Sequence, residues 1–303
     1  MSKVADKRLY VIGNGFDLYH KLPTKYSDFH QFILQCQAKV QVLFDTYFQL
    51  KFNEEYLWTD FENDLGTFKW RTFYEDINNI DVLDDHFKPS SIYSLEDNIT
   101  QETDEIIDLI REAFENWVSS ISLDFVTPSL TLDTSSNFLN FNYTMTLEEV
   151  YDVANENILH IHGDVENSRG SLIFGHNKRL KNSPKFDKHG ESTRTLFSDS
   201  EDMTKYPFYA FRKPVTDIIS ENNDFFNYIV NVEEVIVLGH SLNSVDIPYF
   251  RKIEKISNAK IKWRISYFND PSKAKLLTSF QKIGVATNRI EFFKMNDLQS
   301  GKL

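Results

Sequence analysis

The chain has 303 residues, 41% hydrophobic and 26% charged, which allows a full buried core and excludes a disordered or low-complexity protein. Its net charge of −12 counts against nonspecific nucleic-acid binding, because phosphates would be repelled overall. The one cysteine, Cys36, excludes an internal disulfide and a cysteine-built zinc cluster, and no run reaches the ~18 apolar residues of a membrane span.

The opening MSKVADKR lacks the apolar core of a secretion signal, so a cytoplasmic protein is expected. RLYVIG (8–13) predicts the first buried strand. TKYSDFHQFILQCQAKVQVLFDTYF (24–48) predicts one amphipathic helix, with Thr24 as N-cap and Phe29, Phe32, Ile33, Cys36, Val40, Leu43, Phe44 and Tyr47 on one stripe. In WTDFENDL (58–65), Trp58, Phe61 and Leu65 share a helical stripe, while Asp60 and Glu62 face elsewhere. QETDEIIDLIREAFENWVSSI (101–121) predicts a second long helix whose acidic start suits the N-terminal dipole. Further buried strands are predicted at 137–142, 158–163, 171–175, 232–241, 261–268 and 289–294, several without clean alternation, as parallel strands covered on both faces require. The fold class is therefore α/β: a mostly parallel, Rossmann-like sheet flanked by helices in a single domain over 1–303. It carries a large helical insertion at about 24–130 and an irregular excursion or flap at about 176–215.

Three polar motifs fall at predicted strand ends, where parallel sheets place their ligands. Gly13-Asn14-Gly15 follows the first strand and reads either as a sharp corner or as a phosphate cradle. A dinucleotide fingerprint would want a third glycine near Leu18 and an acidic residue ending a second strand, and neither is present. Asn142 ends NFLNFN and is either a turn residue or an amide that holds a ribose hydroxyl or a water; Thr144 is a candidate helix cap. His160 and His162, two apart on a strand, are expected to share a face. That pattern admits a metal pair, with Asp164 or His176 as further ligands, but lacks diagnostic spacing. His162 before Gly163 suits a general base, and His160 reads as a satisfied core histidine.

Gly239-His240-Ser241-Leu242-Asn243 nearly matches a nucleophile elbow. Its last glycine is missing and no histidine follows His240, so a serine hydrolase is excluded. Such a Gly-x-Ser can instead serve a ribose or phosphate, with Asp246 accepting from a ribose hydroxyl. The basic stretch HNKRLKNSPKFDKHG (176–190) reads as a solvated loop or as a flap that meets an anionic ligand.

VIGNGFDLYHKLPTKYSDF, WTDFENDL, NFNYTMTLEEVY, HIHGD and VIVLGHSLNSVDIPYF together resemble the abortive-infection AbiH family of bacterial anti-phage proteins, which in turn looks sirtuin-like. The resemblance implies that Gly13, Asn14, Gly15, Phe16 and Asp17, with Leu22-Pro23, stand for the sirtuin dinucleotide loop. Asn142 stands for its active-site asparagine, His162-Gly163 for its catalytic His-Gly, and Gly239, His240 and Ser241 for the Gly-x-Ser on the adenosine side. The zinc module of the deacetylases is absent, so deacetylation is not expected. What the resemblance implies is cleavage of NAD or NADP as substrate, without cofactor, metal or membrane. Asn142 and His162 would act at the ribose, and Asp17 would hold ribose hydroxyls or stabilise positive charge. A phage-derived trigger or partner protein and a homo-oligomer fit the same picture. A nucleotide sensor without catalysis, and a nuclease or nucleotide-modifying toxin using the basic flap and the histidine pair, are the alternatives.

Overall fold

A computed structural model describes residues 7–50, 52–53, 56–57, 60–167, 172–181, 185–186, 188–257 and 261–299. The chain divides into two compact units: Met1–Lys25, Glu115–Ile173 and Pro214–Leu303 in the first, Tyr26–Phe114 and Phe174–Lys213 in the second.

In chain order, β1 (Arg8–Ile12) leads to α1 (Asn14–Tyr19), α2 (Tyr26–Cys36), α3 (Ala38–Tyr47), α4 (Phe61–Leu65), α5 (Trp70–Ile77) and α6 (Ser90–Ser119). Then come β2 (Asn137–Asn140), α7 (Thr146–Tyr151), β3 (Ile158–His160), α8 (Ser198–Met203), α9 (Tyr206–Ala210), α10 (Val215–Glu221) and α11 (Asn223–Tyr228). β4 (Glu234–Leu238), α12 (Ile247–Ile256), β5 (Lys262–Ser266), α13 (Asp270–Ile283), β6 (Ile290–Phe293) and α14 (Met295–Gln299) complete the chain. A short antiparallel hairpin pairs Phe52–Asn53 with Tyr56–Leu57 in the second unit.

The first unit is built on one six-stranded sheet in the order β3-β2-β1-β4-β5-β6, with every pair parallel. This is the strand order of doubly wound dinucleotide-binding sheets. Odd-numbered residues of β1, such as Leu9 and Val11, pack with Leu139, Tyr249, Phe250, Trp263 and Phe280 on one face. Even-numbered Tyr10 and Ile12 pack with Phe16, Phe138 and Leu147 on the other. Both faces are covered, which is why the strand sequences lack alternation.

The register brings the strand ends level. Ile12 pairs with Asn140 and Leu238, and Asn140 with His160, so the residues after each strand emerge at one edge. The apolar run 171–175 is not a strand among its described residues. Leu172, Phe174 and Gly175 are buried, and Ile173 is tied down without a ladder: its N–H donates to the His162 carbonyl (2.9 Å) and its carbonyl accepts from the Tyr143 hydroxyl (3.0 Å). The expected helix over 24–48 is two helices, broken at Gln37, whose φ of −135° and ψ of 56° leave the helical region. Thr24 does not cap it: its buried hydroxyl makes no hydrogen bond. The second long helix begins at Ser90, so the acidic residues at 102–105 lie inside it and the dipole argument does not apply.

Phenylalanines account for much of the second unit's core. Phe61 meets Phe29 at 5.2 Å, Phe44 at 5.7 Å and Phe114 at 6.4 Å between ring centres, and Phe114 stacks on Phe174 at 4.1 Å. Trp58 lies outside the described residues. Among those residues no helix is long and apolar enough to cross a membrane.

Candidate functional site

β1 and β4 are neighbours whose chain connections run to opposite halves of the sheet, and such a switch point opens a crevice at the carboxyl edge. Gly13 and Gly239 leave the sheet there side by side. The Gly13 N–H donates to the Leu238 carbonyl (2.9 Å), that of Gly15 to the Gly239 carbonyl (2.7 Å) and that of Phe16 to the Gly13 carbonyl (2.8 Å). The Gly239 N–H donates to the Ser266 hydroxyl at 2.8 Å.

A Cβ on Gly13 would stand 2.6 Å from His240 Cα, one on Gly15 2.7 Å from the Gly239 carbonyl oxygen, and one on Gly239 2.2 Å from Phe16 N. Gly239 also has a φ of +67°, where side chains are strained. The corner reading of the motif is therefore correct: these glycines let two loops touch. The amides of Gly13, Gly15 and Phe16 are spent within the protein, so the expected phosphate cradle is not made by those three. Asn14 and Ser241 are the exposed loop residues, and the Asn14 amide donates to the Thr24 carbonyl at 2.7 Å.

Asp17 is 1% exposed, and its carboxylate accepts from the Thr144 hydroxyl at 2.6 Å and the Thr146 hydroxyl at 3.0 Å. Burial pushes its pKa up to about 6, against the pull of those hydroxyls, the Asn142 amide and His160. Two expectations are corrected here. Asp17 tethers the start of α7 instead of facing a ribose, and Thr144 serves Asp17 instead of capping the helix, which starts at Thr146.

Asn142 is held at three points. Its main-chain N–H donates to Asn140 Oδ1 (3.0 Å), its side-chain amide to the Gly13 carbonyl (3.3 Å), and its carbonyl faces His160 Nδ1 (3.1 Å). His160 Nε2 meets Glu148 Oε1 at 2.7 Å, with both side chains about nine-tenths buried. Burial opposes charge on His160, but Glu148, the Asn142 carbonyl and Asp164 outweigh it and raise its pKa. Sequence reasoning missed Glu148.

His162 lies past the end of β3, in the turn that Gly163 closes with a φ of +81°. Its buried ring packs edge-on against Phe141 (5.3 Å) and Tyr249 (5.8 Å) and lies 6.3 Å from Tyr143. His160 instead meets α7, which packs on the other sheet face, so the two histidines do not share a face. The turn after β3 breaks the strand periodicity on which the metal-pair expectation rested. His240 Nδ1 accepts from the Leu242 N–H at 2.9 Å, its ring stands edge-on to Phe141 at 4.5 Å, and its Nε2 is 3.7 Å from Asp246 Oδ2. Asp246 is thus buried against His240, not turned toward a ribose.

The structure therefore gathers Gly13, Asn14, Gly15, Phe16, Asp17, Asn142, His162, Gly163, Gly239, His240, Ser241 and Asp246 around the carboxyl ends of β1 to β4. In the second unit, Glu62 pairs with Lys213 at 2.8 Å, both buried. His176 is fully buried there, with Nε2 on the Phe208 carbonyl (2.9 Å) and Nδ1 accepting from the Lys178 N–H (3.0 Å). Arg179, Lys181, Lys185 and Lys188 after it are exposed, which fits either a solvated loop or a flap. A cavity of about 480 Å³ in this unit is lined by Thr100, Thr103, Asp199, Asp202, Met203, Tyr206 and Tyr209. It holds none of the motif residues at the sheet edge. No group of three metal-ligating side chains occurs among the described residues.

A family model described as bacteriophage abortive infection AbiH matches residues 9–267, from β1 to just past β5. No curated protein and no solved structure matches the chain with significance.

Proposed function

The chain belongs to the AbiH family of bacteriophage abortive infection, and from that premise we propose that it serves phage defence by binding NAD or NADP at the β1/β4 crevice and hydrolysing the nicotinamide–ribose bond. One observation carries the reading: an all-parallel sheet of dinucleotide-binding order whose switch point gathers Gly13, Gly15, Gly239 and Ser241 beside Asn142 and His162.

Cleavage of this bond builds oxocarbenium character at the ribose anomeric carbon, as in glycoside hydrolysis. The carbon–nitrogen bond breaks with its electron pair passing to the pyridinium nitrogen, so nicotinamide leaves neutral and needs no general acid. The oxygen of water forms the new bond to carbon, and its proton passes to His162 as general base. Asn142 orients the ribose or the water. Asn14 and Ser241 meet the phosphates and the adenosine side. Asp17, ionised above about pH 6, supplies negative potential from behind the loop without touching the sugar.

The test is nicotinamide release from NAD by the purified chain in the presence of its phage trigger. Replacement of His162 or of Asn142 by alanine should lower that release at least ~100-fold. Unchanged NAD levels in cells that the protein has arrested would overturn the reading.

A second reading, a nucleotide sensor without chemistry, is favoured by the internal engagement of the Gly13, Gly15 and Phe16 amides and the Asn142 side chain. A ligand entering the crevice would have to rearrange them, which couples binding to a change of state. A sensor binds ADP-ribose in calorimetry with the same affinity after His162→Ala; the hydrolase does not need to.

A further inference from the structure

We infer that Glu148 and His160 form a buried positioning pair that sets the main chain of Asn142, and with it the amide that acts in the reaction proposed above; the chemical part of the inference rests on that reading.

Asn142 stands where the chain has left the sheet. β2 ends at Asn140, so residue 142 has no ladder partner to fix its backbone. Two side chains take over that work. Asn140 Oδ1 accepts from the Asn142 N–H at 3.0 Å, and His160 Nδ1 faces the Asn142 carbonyl at 3.1 Å. A carbonyl can only accept, and at 3.1 Å it is nearer to Nδ1 than the Asn140 side-chain nitrogen at 3.5 Å, so the closer contact requires a hydrogen on Nδ1. On the far side of the ring Nε2 meets the Glu148 carboxylate at 2.7 Å, and an ionised carboxylate also only accepts. Both ring nitrogens therefore donate, and His160 is an imidazolium.

The groups that bear on this charge are few. Glu148 comes from α7, Asp164 from the loop after β3, and Asp17 from α1; all three are acids and favour the cation. Buried ion pairs add little net stability, because desolvation offsets their attraction. What such a pair supplies is geometry: a short, charge-assisted bond fixes the ring, and the ring fixes the carbonyl two residues past the strand. With its backbone so held, Asn142 keeps its side-chain amide against the Gly13 carbonyl, at the carboxyl ends of β1 and β2. Glu148 and His160 touch no substrate themselves.

The experiment uses the full chain and two variants, with a readout besides activity. Nitrogen-15 NMR of the histidine rings at pH 7.5 should show His160 doubly protonated in the native chain and neutral in Glu148→Gln. In His160→Leu the Asn142 amide should exchange with solvent at least ~10-fold faster, since its carbonyl anchor is gone. In steady-state nicotinamide release, His160→Leu should lower kcat at least ~10-fold with KM within about threefold. Glu148→Gln puts a carboxamide where the carboxylate stood and leaves the neutral ring one N–H for its two acceptors, so kcat should also fall, by a smaller factor than in His160→Leu. A neutral His160 in the native chain, or an Asn142 amide unmoved in His160→Leu, would overturn the inference. If His160→Leu does not fold, the ring protonation of Glu148→Gln decides alone. If the native chain releases no nicotinamide, the hydrolase reading fails while the NMR arm still decides the positioning role.

Discussion

Two buried titratable sites, one in each unit, answer acid in opposite directions. Asp17, beneath the Gly13 loop, has a pKa raised to about 6 by burial, so the folded state prefers it protonated. His176, fully buried in the second unit, has a pKa lowered to about 4 by burial, with Lys178 and Arg212 adding to the effect, so the folded state prefers it neutral. Each shift is worth about 3 kcal/mol. As pH falls from 7 to 4 the Asp17 site gains stability and the His176 site loses it. The two nearly cancel in the whole chain, and the lesson is that burial alone sets no sign: it disfavours whichever form is charged. His160, about nine-tenths buried, takes a third course because a carboxylate faces it.

The largest expected effect falls on the second unit alone. Lys213→Met leaves Glu62 buried without its cation, which should cost about 3–5 kcal/mol in urea unfolding. Hydrogen exchange should place that loss in residues 26–114 and 174–213, leaving the protection of β1 and β4 unchanged if the units open separately.

Two variants of about equal effect then expose the cancellation. Asp17→Asn removes a carboxylate whose stabilising, protonated form is fully present below the ordinary aspartate value and lost as pH rises through about 6. The variant should therefore gain about 3 kcal/mol on the native chain between pH 4 and pH 7.5, read from Tm or urea midpoints. His176→Gln removes a group whose contribution is present above the ordinary histidine value and lost as pH falls through about 4. That variant should gain about 3 kcal/mol on the native chain as pH falls from 7 to below 4. In the native chain the Lys178 amide, which donates to His176 Nδ1, should lose its exchange protection across the same fall.

Much of the first unit was legible. Six of seven predicted strands are present because apolar runs bounded by glycine and asparagine have few other fates. The seventh, 171–175, has the same composition, and composition cannot say whether a buried run finds a ladder. The edge location of the candidate residues was also readable, because each motif directly follows its strand. Their partners were not. Asp17 and Thr144 lie 127 residues apart, and nothing local in Thr144-Met145-Thr146 marks the hydroxyls as donors to a distant carboxylate. The same holds for Glu148, which reads as one acid in an ordinary helix start until β3 brings His160 beside it. His160 and His162 misled for a local reason: period-two reasoning holds only inside a strand, and β3 ends at the first of them.

The smallest predicted effect bears on why Asp17 ionises at all so near neutrality. Its two hydroxyl donors stabilise the anion, and Thr144, at 2.6 Å, is the shorter bond. Thr144→Val keeps the shape and removes one donor. At pH 7.5, where the carboxylate is charged, the loss should be about 1.5–2 kcal/mol. At pH 4 the protonated acid can turn its own hydroxyl to another acceptor, so the loss should fall below about 1 kcal/mol. By linkage the Asp17 pKa must then lie above 6, since a donor to the anion has gone. A Thr144→Val penalty that stays flat between pH 4 and 7.5 would mean that Asp17 does not titrate in this window, and the opposition between the two units would lose one of its sides.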